Sequence, residues 1–339
     1  MAAPSSLTAR FAAAKQTAKG TAATTGFITG IMRTSYLRPD YTFITSGPEH
    51  SGGAVARPTM RKSSDYRASY VDMFGGSGRL YPALVGVLLR GAGFGVTTVD
   101  NTTYKTHTFK IAARDVAAWL SIMHRLGEGS DQFERKAKDA RVSQLTLRAG
   151  RDGLDMDFEG MALSEAQSAG SETVTTDTNV PFMPNSGSLT LTVSATNIVA
   201  ACKSNEMVIA NPLSRDENFL FSFGNADLPQ TGMSITGTIG DIDISYDLYK
   251  RLHWGGTSGT GIVNTPVEGA LSYTYQSAVN ISGAAVPYSL NVSVPTAMIT
   301  MGQFQAQDDN LVRGALTWEM VDTGTEPITI TLSNGQAAY

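Results

Sequence analysis

From Met233 to Ile239 the chain alternates, with Met233, Ile235 and Ile239 set against Ser234, Thr236 and Thr238, the period-two pattern of a strand with one buried face. After a turn-rich gap, Tyr246 opens a stretch in which Leu248, Tyr249 and Leu252 recur at helical spacing before Gly255. The same order occurs once upstream. Tyr70 and Phe74 take the places of Ile235 and Ile239, and Tyr81 that of Tyr246. Leu84, Val87 and Leu88 then form an apolar stripe that stops at Gly91. Pro82 suits a first helical turn, where a missing amide hydrogen is tolerated. Gly91 and Gly255 are expected to end the two helices, because glycine accepts the left-handed cap. Helices this short are marginal alone, so each is expected to lie on a sheet.

A second echo follows each copy. Residues 140–163 alternate on both sides of Gly150-Arg151-Asp152-Gly153, and residues 297–322 repeat the form around a polar centre; both read as β-hairpins. Further strands are expected at 27–41, 103–111, 188–199, 219–223, 271–275, 288–294 and 328–332, and at 119–124, where helical spacing competes. The chain up to about Gly26 reads as an arm or edge element. Residues 45–67, rich in Gly, Pro and Ser, read as a long loop made basic by Arg57, Arg61, Lys62 and Arg67. The division this suggests is a first domain over 1–168, a linker over 169–187 and a second domain over 188–339. The fold class is mainly β, with two tandem β-sandwich or split-barrel domains, each carrying one short flanking α-helix.

Composition sharpens the duplication. The 339 residues suffice for two cores, and the charge is divided between them. Residues 1–170 hold 21 Lys and Arg against 15 Asp and Glu, and residues 171–339 hold 5 against 15. Contact of a first half with a second half is therefore favoured over like with like. The basic loop has no interleaved aromatic set of the kind that stacks nucleic-acid bases. No apolar run reaches membrane-spanning length, and the N-terminus has no secretory h-region, so a soluble product is expected. The lone Cys202 excludes an intramolecular disulfide framework and reads as a small buried hydrophobe. His50, His107, His124 and His253 are scattered without metal-ligand spacing, and neither Gly75–Gly78 nor Gly91–Gly95 fits a phosphate or dinucleotide loop. No catalytic, cofactor or metal site is expected. Asp155, Asp157 and Glu159 share one strand face and could in principle do acid–base work; a solvated or pore-facing wall is the plainer reading, and Asp241 and Asp243 read the same way.

Residues 14–27, the cassette 69–95 and the hairpin 139–163, with the repeat running through Ile328–Gly335, resemble the tail tube proteins of long-tailed bacteriophages in a duplicated form. The resemblance implies a non-enzymatic virion protein that polymerises into stacked rings around a lumen through which DNA passes without specific binding. It implies that the 45–67 loop reaches the adjacent ring, with His50, Arg57, Arg61, Lys62 and Arg67 as contact residues. Implied partners are further copies of the chain, a tape measure protein in the lumen during assembly, and terminator and distal tail proteins at the tube ends. The implied location is the virion tail, with the host cytoplasm during assembly and no membrane. Two domains per chain suggest three chains in a pseudo-sixfold ring, or six chains if one domain is decorative. The rival readings are a carbohydrate-acting enzyme using Asp155 with Asp157 or Glu159, and a lectin-like surface module.

Overall fold

Alternating sequence delivers strands throughout the computed structural model, which describes residues 9–45, 65–113, 118–127, 133–167, 172–193, 196–198, 202–215, 225–243, 246–301 and 313–339. The first half contributes β1 (Arg10–Lys15), β2 (Phe27–Thr29), β3 (Met32–Thr45), β4 (Asp65–Arg79), α1 (Leu84–Gly91), β5 (Phe94–Asp100), β6 (Lys105–Ile111), β7 (Leu120–Leu126), β8 (Phe133–Gly150) and β9 (Gly153–Gln167). Then come β10 (Val174–Thr176), β11 (Met183–Val193), β12 (Thr196–Ile198), β13 (Ser204–Ala210), β14 (Ser234–Asp243), α2 (Tyr246–Trp254), β15 (Val267–Asn280), β16 (Pro287–Met301), β17 (Arg313–Met320) and β18 (Thr329–Asn334).

The strand pairings repeat. In the first half β1–β2, β1–β7, β3–β4, β4–β9, β7–β8 and β8–β9 are antiparallel. In the second half β11–β12, β11–β15, β13–β14, β14–β17, β15–β16 and β16–β17 match them pair for pair. Each half thus forms a split barrel whose sheet bends back on itself, with one helix inserted after the fourth strand of the unit. The β5–β6 hairpin has no counterpart among the described residues of the second half, and β18 closes β16 onto β6.

The halves share one core. Phe11, Phe74, Phe94 and Phe158 from the first belong to the same buried cluster as Ile239, Tyr273, Trp318 and Leu332 from the second, and each such large apolar side chain contributes about 1.5–3 kcal/mol by leaving water. Packing is tight where an aromatic ring crosses a glycine on the paired strand. Phe74 pairs with Gly160, where an added Cβ would lie 2.2 Å from the ring, and Trp318 pairs with Gly237, where it would lie 2.5 Å away.

Several local expectations need correction. Arg10–Lys15 is a core strand, not an arm: Phe11, Ala12, Ala13 and Ala14 are buried on both faces, which is why no alternation marks the segment. The first helix starts at Leu84, with Tyr81 and Pro82 ahead of it. Gly91 ends it without the left-handed cap, which falls instead on Gly93 at φ +100°, whereas Gly255 at φ +71° fulfils its expected role. Inside the expected linker, β10 pairs in parallel with β2 and Phe182 is fully buried. Cys202 is half-buried against the core rather than enclosed by it. The strand expected at 219–223 lies outside the described residues.

Candidate functional site

Four strands of each half run side by side in the order β3–β4–β9–β8, then β13–β14–β17–β16. The seam between them is β8 with β13, antiparallel from Asn205 opposite Ala149 to Ala210 opposite Gln144. Eight strands therefore make one curled sheet of two equivalent quartets.

One face of this sheet covers the core and the other is polar. On β9, Leu154, Met156 and Phe158 are buried while Asp155, Asp157 and Glu159 point away; on β8, Leu145 and Leu147 oppose Gln144 and Arg148. The second quartet repeats the division, with Ile235 and Ile239 against Thr236 and Thr238 on β14, and Leu316 and Trp318 against Thr317 and Glu319 on β17. Each quartet carries a shallow groove on this polar face. One, of ≈ 310 Å³, is lined by residues that include Tyr36, Ser77 and Asp157, and the other, of ≈ 280 Å³, by residues that include Thr238, Thr300 and Glu319. The two grooves are similar in size and each crosses the four strands of its own quartet, at different positions along them.

Asp155, Asp157 and Glu206 on this face are engaged by arginines. Asp155 accepts from Arg33 at 2.9 Å and Arg79 at 3.0 Å, and Arg148 bonds both Asp157 and, across the seam at 2.7 Å, Glu206. Exposed pairs of this kind contribute at most about 1 kcal/mol each; their effect is to cancel charge along the wall. Among the described residues, further ion pairs join the halves: Lys19–Asp227, Lys136–Glu172, Lys110–Glu326 and, with the signs reversed, Arg215–Asp40. Asp241 lies 3.8 Å from Lys203 at the rim.

The rims differ. β4 leaves the 45–67 connection at Asp65 and reaches the β8–β9 turn at its other end, where Arg79 stands opposite Asp155. Of the residues expected to make contacts from the loop, Arg67 lies within β4, paired with Phe43 of β3; His50, Arg57, Arg61 and Lys62 lie outside the described residues. His107 and His124 are buried structural groups, the first bonded to Thr98 and Asn334, the second to Ser35, and burial lowers the pKa of both. Among the described residues no three His, Cys, Asp or Glu side chains gather as a metal site, and no helix is long and apolar enough to cross a membrane.

A duplicated, curled sheet with one polar and one core-bearing face defines a mainly β protein. The sequence profile of a family described as phage tail tube protein matches residues 6–251, well over half the chain, and the protein belongs to that family. No curated protein matches it. The match runs from β1 through most of α2 and so spans the seam.

Proposed function

We propose that the chain polymerises into stacked rings that form the tube of a siphovirus tail, with the polar face of the eight-strand sheet lining the lumen through which DNA is ejected. The observation that carries this reading is the seam: two equivalent quartets already continue one sheet from one to the other, and repetition of that step between chains makes a closed wall. A lateral contact of unlike edges that closes on itself gives a ring, and a second contact along the axis gives a tube.

In this reading 1–168 and 188–339 are the two tube domains, joined through 169–187, and three chains supply the six domains of a ring. Six chains per ring is the alternative if one domain is decorative. The wall carries acidic, threonine and arginine side chains, with Asp155, Asp157 and Glu206 paired to arginines, which suits passage of DNA without retention, and accommodates a tape measure protein while the tail grows. In this reading the 45–67 connection, which joins β3 to β4 at the rim opposite the β8–β9 turn, meets the turn-bearing rim of the adjacent ring. Terminator and distal tail proteins then cap the ends, after assembly in the host cytoplasm. No enzymatic step is assigned to the face. Negative-stain electron microscopy of the concentrated chain, with and without tail initiation components, tests the reading: rings or tubes are expected, and a chain that stays monomeric in both conditions contradicts it.

A further inference from the structure

The second half keeps a cleft open where the first half is filled. Between the β11–β15 pair and β13 lies a cavity of ≈ 670 Å³, lined by residues that include Leu189, Cys202, Asn205, Tyr273 and Tyr275, with Arg151 and Lys203 at its mouth. Its size is that of a small-molecule site. The matched ladders make β1, β3 and β7 the first-half counterparts of β11, β13 and β15. There the Phe11 ring of β1 lies 4.8 Å from Phe158 and 6.2 Å from Phe74, centre to centre, and Ser35 of β3 bonds His124 of β7 at 3.2 Å. β11 has no aromatic residue to place in the same position.

Asn205 is the polar group built into this cleft. It is 6% exposed, its Nδ2 donates to the Tyr275 hydroxyl at 2.8 Å, and its Oδ1 has no hydrogen-bond partner. A buried carbonyl oxygen without a donor is costly and is seldom left so. The Tyr273 hydroxyl is already engaged by Met207 Sδ, so that residue contributes surface rather than a hydrogen bond. Burial pushes the pKa of Tyr275 and of Cys202 up, and neither brings a negative charge at neutral pH. No Asp or Glu is among the described lining residues, and the two charged ones, Arg151 and Lys203, are exposed. Lys203 approaches Asp241 only to 3.8 Å. The cleft is therefore neutral and largely apolar within, holds one acceptor in need of a donor, and is positive at its mouth.

We propose that this cleft binds a small aromatic acid: its ring system lies between Leu189 and the two tyrosines, an N–H or O–H of the ligand donates to Asn205 Oδ1, and its acidic group reaches Arg151 and Lys203. The 45–67 connection of another copy is a poor occupant, because Arg57, Arg61, Lys62 and Arg67 would meet a mouth that is already positive. A simple fatty acid would leave the Asn205 oxygen without a donor. The site does not depend on the tube reading.

Fluorescence titration of the full chain with an anilinonaphthalene sulfonate whose N–H and sulfonate lie at opposite ends of the molecule tests this. Saturable binding of one probe per chain is expected. The N-methyl derivative, which lacks the donor, is expected to bind about tenfold more weakly. A double variant, Arg151→Glu with Lys203→Glu, changes only exposed positions; it is expected to keep the circular dichroism of the parent and to bind the probe at least about tenfold more weakly. Cys202 is the one cysteine of the chain, so its alkylation by N-ethylmaleimide reports on the cleft. Probe at about ten times its Kd is expected to slow that alkylation about tenfold. Absence of saturable binding overturns the proposal. So does binding that leaves the alkylation rate unchanged, which puts the probe elsewhere on the surface, and so does equal affinity for the two probes or for parent and double variant.

Discussion

Asp72 is the side chain least at ease in the core. It is fully buried on β4 and its carboxyl faces that of Glu165 on β9, with which it shares a hydrogen bond only when one of the two carries a proton, and Arg135 stands beyond. Burial first, and the neighbouring Glu165 second, push its pKa up to about 8. Because the folded chain holds this proton more tightly than the unfolded one, the contribution is fully present below the ordinary carboxylate range. It is lost as pH rises from about 4 towards 8, at a slope of about 1.4 kcal/mol per pH unit for the one proton. Urea unfolding at pH 5 and pH 8 is expected to show the fall, and Asp72→Asn to flatten it; a parent chain equally stable at both values contradicts the assignment. The sequence alone carries no sign of this, since a lone Asp between Val71 and Met73 reads as an ordinary strand residue until Ala162 and Glu165, some ninety positions away, are laid beside it.

At the level of the element, α1 shows how a segment that reads as a linker works for a helix. Ala83 precedes the helix and has no side chain able to cap it, and the carboxylate of Asp177, just past β10, accepts the Ala83 N–H at 2.6 Å and bonds Asn179 as well. Burial raises the Asp177 pKa while these donors oppose the shift. Asp177→Ala is expected to lower unfolding free energy by about 1–2 kcal/mol, seen as a reduced urea midpoint with the slope retained; an unchanged midpoint denies the cap. The elements most legible in advance are those whose face is set by their own alternation, such as β9, β14 and β16, along with the two helices that follow β4 and β14. The rest depended on distant partners. Ala12 and Ala14 of β1 are buried against Phe27 and Met123, so that strand shows no polar face to read. The exposed alternation of 174–176 gives no hint that β2 lies alongside.

For the whole molecule, duplication was visible as a repeated order of strand, helix and hairpin, and the pairings extend it to six matched ladders. The polar face was half legible: Asp155, Asp157 and Glu159 were placed together by their spacing, but the arginines that neutralise Asp155 and Asp157 come from β3, β4 and β8 and could not be assigned from spacing alone. The charge division between the halves is used at the seam, where Arg148 of the first half bonds Glu206 of the second. It is breached at Arg215–Asp40, so it biases the contact of unlike halves without dictating every pair. In the tube proposed above, a chain built of two equivalent quartets completes one joint of its ring within itself. The mass of a single isolated ring tests this most directly. Native mass spectrometry is expected to find three chains of 36.0 kDa each, and a ring of six chains would contradict the account by leaving one quartet of each chain outside the wall.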